Sequence, residues 1–578
     1  MIAWLGGAAV VCLIGAACIG GLTAADEEAP PMPPEPAADA QQHDSSVIGS
    51  YLIGRHAHAR GDYAVASRHL WRALERDPYN PALLRRTVSM LVADGRIEDA
   101  AVLAERLVDL DDSARLAHFL LALQDARNGD YERGLQRFEG LPREGIYSLL
   151  LPIAEGWLHV GAGSGVAALA ALAPLAERDS YRPFFLHHAG LMHDVAGRAA
   201  DAEALLRESV AVGNGSHRSV AALGSVLMRA GRSVEARAIY EEFRAQNPDD
   251  VRIERTLAAV DAGKTPPPLV SGARDGLAET LLGASAALPQ RDGGEASLIY
   301  ARLALFLRDD LDSARFLIGE ILEDAERLEA AVEAYRSIPA GSDFAWAARL
   351  RAAAALSDIE RVDEAVAALE AMVEEQPGRV DAASALGDVF RRDEQYAEAA
   401  AAYDIAVERV ETVEYRYWRL FYVRGIAFER LGEWPKAEAD FRRALELEPD
   451  QPLVLNYLGY SWVEQLHNLD EAKTMIEKAV ELRPDDGYIV DSLGWVEYRL
   501  GDFEEAVYQL ERAVELVAGD PIINDHLGDA YWQVGRVNEA RFQWRRVLTL
   551  EPEDDLAAQV RRKIAGGLSA GAEADDAH

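Results

Sequence analysis

Glycines recur at one fixed interval along the first half of the chain: Gly61, Gly95, Gly129, Gly163, Gly197 and Gly231 lie 34 residues apart. Five residues after each stands Ala66, Ala100, Gly134, Ala168, Ala202 or Ala236, so two independent classes of small residue share one period. Self-similarity of this kind marks a stacked-repeat architecture. Each unit of such a stack buries its apolar face only on its neighbours, which frees a chain of 578 residues from the size limit of a single core.

Each recurring residue has a distinct physical role. Glycine adopts the left-handed conformation that ends a first helix. The small residue five positions on falls in the first turns of a second helix and lets two backbones approach closely. In the final unit, starting at Pro521, Leu527, Gly528 and Tyr531 fall on the first helix, and Ala540, Trp544 and Val547 on the second. Pro552 follows and stops that second helix. Leu and Ala dominate over β-branched residues and no period-two alternation is sustained, so the chain is predicted to be all-α. The period, the central glycine and the small residue after it resemble the tetratricopeptide repeat, a helix-turn-helix unit. The resemblance implies a superhelical α-solenoid that binds other proteins rather than catalysing.

Repeat starts fall near Val47 and at Pro81, Arg115, Leu149, Pro183 and His217 with no insertion, giving a first block of six repeats over 47–250. Residues 251–277 contain Gly263, Pro266, Pro267, Pro268 and Gly272, and are expected to be a linker between two blocks. A second block of eight repeats over 278–554 starts near Ala278, with units at Asp312, Trp346, Val380, Trp418, Pro452, Gly487 and Pro521. About four extra residues precede Trp418, and one lies in the turn around His467. The count is about fourteen repeats, closed by a capping helix at 555–565 and a disordered tail at 566–578.

The first 25 residues carry no charge, and Ile2 to Leu22 form one apolar run: a signal peptide or membrane anchor. Thr23-Ala24-Ala25 before Asp26 offers small residues for a signal peptidase. Both cysteines, Cys12 and Cys18, lie in this run, so the body has none for a disulfide. Ala16-Ala17-Cys18 resembles the end of a lipoprotein signal, with Gly15 where a larger aliphatic residue is usual. Cys18 is therefore a lipidation candidate, beside the reading in which it is simply a small apolar residue of the run. Residues 26–46, with Pro30, Pro31, Pro33, Pro34 and Pro36, read as an extended, disordered tether.

A net charge of −38 and a pI near 4.7 argue against a nucleic-acid partner, which would require a basic stripe. Enzymatic chemistry finds no support. His56, His58 and His69, or His187, His188 and His193, invite a metal reading, but neighbours on a helix diverge by about 100° and no cysteine adds a ligand. Gly161, Gly163 and Gly165 follow a predicted helix, where a dinucleotide loop follows a strand. No catalytic residue, cofactor or metal is expected.

Stacked repeats present their first helices along a concave groove. The second, fifth, ninth and twelfth residues of the late units place Tyr422, Asn456, Tyr460, Tyr488, Asp491, Trp495, Tyr498, Asp525, Asp529 and Trp532 there. Aromatics among polar neighbours are the composition of a binding surface, and the same rings can instead pack between helices. Asp491, Asp525 and Asp529 should repel a terminal carboxylate, so the expected ligand is a folded surface, a neutral segment or a peptide carrying Lys or Arg. The first block offers a different lining, Tyr51, Arg55, His58, Arg85, Phe119 and His187, which suggests a second partner.

The segments Asn456-Tyr-Leu-Gly-Tyr-Ser-Trp462, Asp485-Asp-Gly-Tyr-Ile-Val-Asp-Ser-Leu-Gly-Trp495 and Asn524-Asp-His-Leu-Gly-Asp-Ala-Tyr-Trp532 resemble bacterial envelope tetratricopeptide proteins. That group includes outer-membrane lipoproteins that tether a carboxy-terminal processing protease and present cell-wall hydrolases to it. The resemblance implies an exported, non-enzymatic adaptor on the periplasmic side of the envelope, touching membrane only through its amino-terminal segment. One alternative is a structural assembly factor for envelope polysaccharide or secretion machinery; the other is an uncleaved, inner-membrane-anchored adaptor, or a cytoplasmic scaffold if the first 25 residues are retained without export.

Overall fold

A computed structural model describes residues 47–212, 216–247, 251–288 and 294–568. The apolar amino-terminal run, the tether up to residue 46 and nearly all of the expected tail lie outside the described residues. Within them the chain folds into thirty α-helices and no strand. Fourteen helix pairs account for most of these, from Val47–Ala59 with Tyr63–Leu74 to Pro521–Gln533 with Val537–Val547. Asp554–Gly566 closes the series where a capping helix is expected.

The periodic glycines do what the spacing requires. Gly61, Gly95, Gly129, Gly163, Gly197 and Gly231 all have positive φ, between 68° and 85°. At Gly95 the backbone N–H turns back to the carbonyls of Leu91 and Val92, which satisfies the end of the helix Pro81–Asp94. The register continues where glycine is absent: Glu326, Glu360 and Glu394, again 34 apart, hold φ of 58° to 62°. A second pairing locks each hairpin. An inner glycine of the first helix receives a large side chain 16 residues later, as in Gly54 with Leu70, Gly224 with Tyr240, Gly387 with Tyr403 and Gly528 with Trp544. At Gly459 the partner is Ile476, 17 residues on, and the extra residue sits in the turn where Leu466 and Asn468 take positive φ.

The chain divides into two compact units, whose described parts are 47–371 and 372–568. This corrects the boundary expected at 251–277, which lies inside the first unit. Val251–Asp261 is an additional helix that buries Ile253, Leu257 and Val260. After it, the Ser225 hydroxyl donates to the carbonyls of Pro266 and Pro267 at 3.3 and 3.0 Å, and Val270 is buried. The prolines therefore make a packed crossover instead of a hinge.

That crossover carries the helices Ala273–Ala287 and Glu295–Leu307 across the first helices of the six preceding repeats. Gly276 lies flat on the Trp157 ring, leaving no room for a side chain. Glu279 meets His187 and Arg218, and Glu295 meets His58 at 2.6 Å. Tyr300 meets the Tyr147 hydroxyl, and Phe306 lies under the Arg127 guanidinium at 4.4 Å. The seventh repeat thus occupies the inner face of the first block.

In the 372–568 unit, five helix pairs and the capping helix stack in order. One apolar cluster runs through Tyr403, Phe441, Trp462 and Val496, and another gathers Leu510, Trp544 and Val560 at the carboxy-terminal end.

Candidate functional site

Helix starts set the geometry of the groove in the 372–568 unit. The side chain of Asp486 accepts from the N–H groups of Tyr488 and Ile489, and that of Asp520 from Ile522 and Ile523. These caps fix where Gly487–Leu500 and Pro521–Gln533 begin, and hence which side chains share their inner face. Trp495 stacks between Tyr498 of its own helix, 4.8 Å centroid to centroid, and His526 of the next repeat, at 4.1 Å. Its indole N–H donates to Glu464 of the previous repeat at 2.6 Å. One ring therefore ties three repeats together.

The acidic character expected of this groove is neutralised internally. Asp491 bonds the His526 ring Nδ1 at 3.0 Å, and both are buried. Burial alone would push the His526 pKa down, but the carboxylates of Asp491, Asp525 and Asp529 outweigh it and raise it. Lys563 of the capping helix donates to Asp525 and Asp529, 2.7 Å from each. Burial raises Asp529 to about 6, helped by repulsion from Asp525 and opposed by Lys563. The ammonium of Lys563, flanked by two carboxylates, rises to about 12 in spite of its burial. The three aspartates are structural partners in the described fold, so the expectation that they repel a carboxylate ligand does not hold.

The other expected groove residues divide between packing and exposure. Tyr422 packs among Trp418, Tyr457 and Phe441, with centroids 5.9 to 6.2 Å away. Trp532 leans on Trp544 at 5.5 Å and is covered by Gly567. Tyr460 and Asn456 are half-buried, and burial raises the Tyr460 hydroxyl, with Glu464 and Asp491 adding to the effect. Tyr498 is half-buried and its hydroxyl accepts from Gln533 at 3.2 Å. Tyr488 is open to solvent at 42 %. Arg499 touches the Trp495 ring and has no carboxylate partner among the described residues.

A pocket of about 740 Å³ opens beside this surface. It is lined by Ser384, Asp388, Arg409, Arg419, Leu420 and Val423 among others. The four extra residues before Trp418 form its far wall, through Thr412 and Glu414 and the short 3-10 turn Tyr415–Tyr417. The insertion was visible in the repeat spacing, but the pocket it creates was not.

The first-block lining is taken up by the chain itself. His58 and His187 bond Glu295 and Glu279 of the seventh repeat. Phe119 is fully buried against Phe138 and Tyr147. Tyr51 accepts from Arg86 at 3.0 Å, Arg85 pairs with Asp111, and Arg55 is exposed beside the Tyr51 ring.

A family model described as tetratricopeptide repeat matches residues 189–251, 350–414, 384–452, 422–465 and 463–521. The matched segments are tetratricopeptide repeats, and the described residues form a solenoid of helix-turn-helix repeats. A curated relative, the TPR repeat-containing protein PA4667 of Pseudomonas aeruginosa, is 27% identical over 191 residues, which are 33% of this chain. The match spans about a third of the relative's own length, 32%. Among solved structures, the APC/C hetero-tetramer Cut9-Hcn1 has a TM-score of 0.38 at 14% identity and covers 90% of this chain and 96% of its own. A tetratricopeptide repeat protein from Parabacteroides merdae has a TM-score of 0.36 at 12% identity, covering 44% and 98%. Repeats of this class make the chain a protein-interaction scaffold, and no enzymatic family is indicated.

Proposed function

We propose that this tetratricopeptide repeat protein is an exported adaptor that holds a protein partner in the groove of residues 372–568. One observation carries the choice of groove: within the 47–371 unit the inner face is occupied by Ala273–Ala287 and Glu295–Leu307. The first helices of the 372–568 unit keep Tyr488, Glu464 and Arg419 exposed, with Tyr460, Trp495 and Arg499 half-exposed beside them. An aromatic and arginine-bearing surface with its aspartates paired suits a segment that carries apolar and carboxylate side chains. The resemblance over residues 450–552 supports a carboxy-terminal processing protease as the partner, with cell-wall hydrolases as the cargo. The uncharged run Ile2–Leu22, with Cys18 inside it, supports delivery to the periplasmic side of the envelope.

Capture from envelope extracts tests the reading. Trp495 packs against His526, so removing it would confuse folding with binding. Tyr488→Ala with Arg499→Glu changes side chains that reach solvent and leaves the Trp495–His526 pair in place. The wild type is expected to retain a processing protease, and the double variant to lose about 2 kcal/mol of affinity with unchanged helical content. Unchanged capture by the variant would move the site elsewhere, and recovery of membrane-export components instead of a protease would favour the assembly-factor reading.

Export has its own measurement, fractionation with intact mass. Loss of residues 1–17 with added lipid marks Cys18 anchoring, and loss through Ala25 marks a soluble periplasmic form. Full-length protein in the cytosol overturns export.

A further inference from the structure

The first repeat is charged and shaped unlike the rest of the chain. Its helix Val47–Ala59 leaves Ile48 71 %, Leu52 55 % and Ile53 41 % exposed, the densest set of open aliphatic side chains on any described helix. Ile48, Leu52 and Arg55 are spaced four and three residues apart, and His56 lies four beyond Leu52, so these side chains share a helical face, with Ile53 at its edge. Among the described residues nothing covers that face, and the packed side of the helix, at Ser50, Gly54 and Ala57, is turned to Tyr63–Leu74.

The same repeat is rich in arginine. Arg55, Arg60, Arg68, Arg72 and Arg76 are all exposed, and none has a carboxylate partner among the described residues. Over residues 47–80 they face three carboxylates, Asp62, Glu75 and Asp77, in a chain whose net charge is −38. Elsewhere arginines are commonly paired, as Arg85 with Asp111, Arg137 with Glu105 and Arg232 with Glu203 and Glu235. The local field is visible at His69, whose pKa is lowered by burial and then by Arg72 and Arg68.

We infer that this end of the solenoid docks on an anionic lipid bilayer, with Ile48, Leu52 and Ile53 entering the interface and the five arginines facing lipid phosphates. A surface helix with apolar side chains rimmed by arginine is the physical form of an interfacial anchor. A partner of positive or neutral surface would leave the arginines unmatched, and a second copy would set arginine against arginine. The acidic remainder of the chain is repelled by the same lipid, which favours contact through the first repeat. In sequence, 24 residues separate this helix from the apolar run that ends at Leu22. Docking is a contact additional to any insertion of that run, and it does not depend on which protein the 372–568 groove holds.

Hydrogen exchange of the full chain on vesicles separates the two contacts. Co-sedimentation with vesicles includes the contribution of the apolar run, while amide protection in residues 47–60 reports the docked face. With phosphatidylcholine vesicles containing about 30 % phosphatidylglycerol, exchange in 47–60 should slow by about tenfold, and pure phosphatidylcholine should give little change. The triple variant R55E/R68E/R72E should lose the protection while still sedimenting, with exchange in Arg115–Arg127 unchanged as the control for folding. Leu52→Ser should lose it as well. Three results would overturn the inference: no protection of the wild type on anionic vesicles, equal protection on neutral ones, or protection that appears without vesicles as protein concentration rises, which would identify a second copy as the occupant.

Discussion

Replacing Arg218 by Ala is expected to destabilise the 47–371 unit by about 3–5 kcal/mol, because it strands a buried carboxylate. Glu279 is 5 % exposed and is held by Arg218 Nε at 2.5 Å, by a second contact from the same guanidinium, and by the His187 ring at 3.2 Å. Burial alone would raise its pKa; Arg218 and His187 more than reverse this and hold the carboxyl well below the usual range. Glu279→Ala should cost less, about 1–3 kcal/mol, since the partner left behind differs. The Arg218 side chain is 29 % exposed and can turn toward water, whereas the carboxylate cannot. Denaturant-dependent hydrogen exchange of Ala273–Ala287 measures both, and the order of the two variants decides the matter. Equal losses would mean that the pair contributes through its packing and not through the orphaned charge.

This closure explains what could and could not be read from the residues. Period, glycine and small-residue positions locate the helix pairs because each is a local requirement of one hairpin: a left-handed residue to end the first helix, a small one where the second crosses it. The same rule hid part of the series, since Glu326, Glu360 and Glu394 adopt the left-handed conformation without being glycine. Pro266, Pro267 and Pro268 break a helix in any context, so the interruption was legible while its destination was not. Whether a crossover separates two blocks or carries the chain back over the first depends on contacts between residues more than a hundred positions apart, such as Trp157 with Gly276 and His58 with Glu295. Repeat spacing has no means of expressing them.

The groove shows the same limit at closer range. Trp495, Tyr460 and Asp491, named by their position within the repeat, are neighbours: Asp491 and Glu464 both act on the Tyr460 hydroxyl, and Glu464 accepts from the Trp495 indole. Which charges remain available depends on the facing repeat. His526 lies one position beyond Asp525 in its unit, and Lys563 comes from the capping helix; neither was counted as a groove residue. A chain with 97 acidic side chains looks uniformly acidic from its composition, yet the aspartates of this surface are paired and the first repeat is locally basic.

The first unit should also lose stability in mild acid, before its carboxylates titrate, through one buried imidazole. His188 is 2 % exposed, and its Nδ1 accepts from the Trp157 indole at 3.1 Å. Burial pushes its pKa down to about 3, with His187 and Arg218 adding repulsion and Glu279 opposing them. The folded-state value is depressed below the unfolded one, so the unfolded chain binds the proton first. The contribution of neutral His188 is present above pH 6.5 and is lost progressively as pH falls from there toward 3. Each pH unit within that window removes about 1.4 kcal/mol, or about 4–5 kcal/mol across the whole of it. Glu279, also depressed, adds its own loss only below the ordinary glutamate value of 4.5, whereas His69, His118 and His193, depressed by burial, contribute above it in wild type and variant alike, so the difference between the two from pH 6.5 to 4.5 reports His188. His188→Asn retains an acceptor for the Trp157 N–H and cannot titrate there. Hydrogen-exchange stability of Tyr147–Gly161 should therefore fall more steeply with pH in the wild type than in the variant over that interval. A variant that loses stability as steeply as the wild type would assign the acid response to another group.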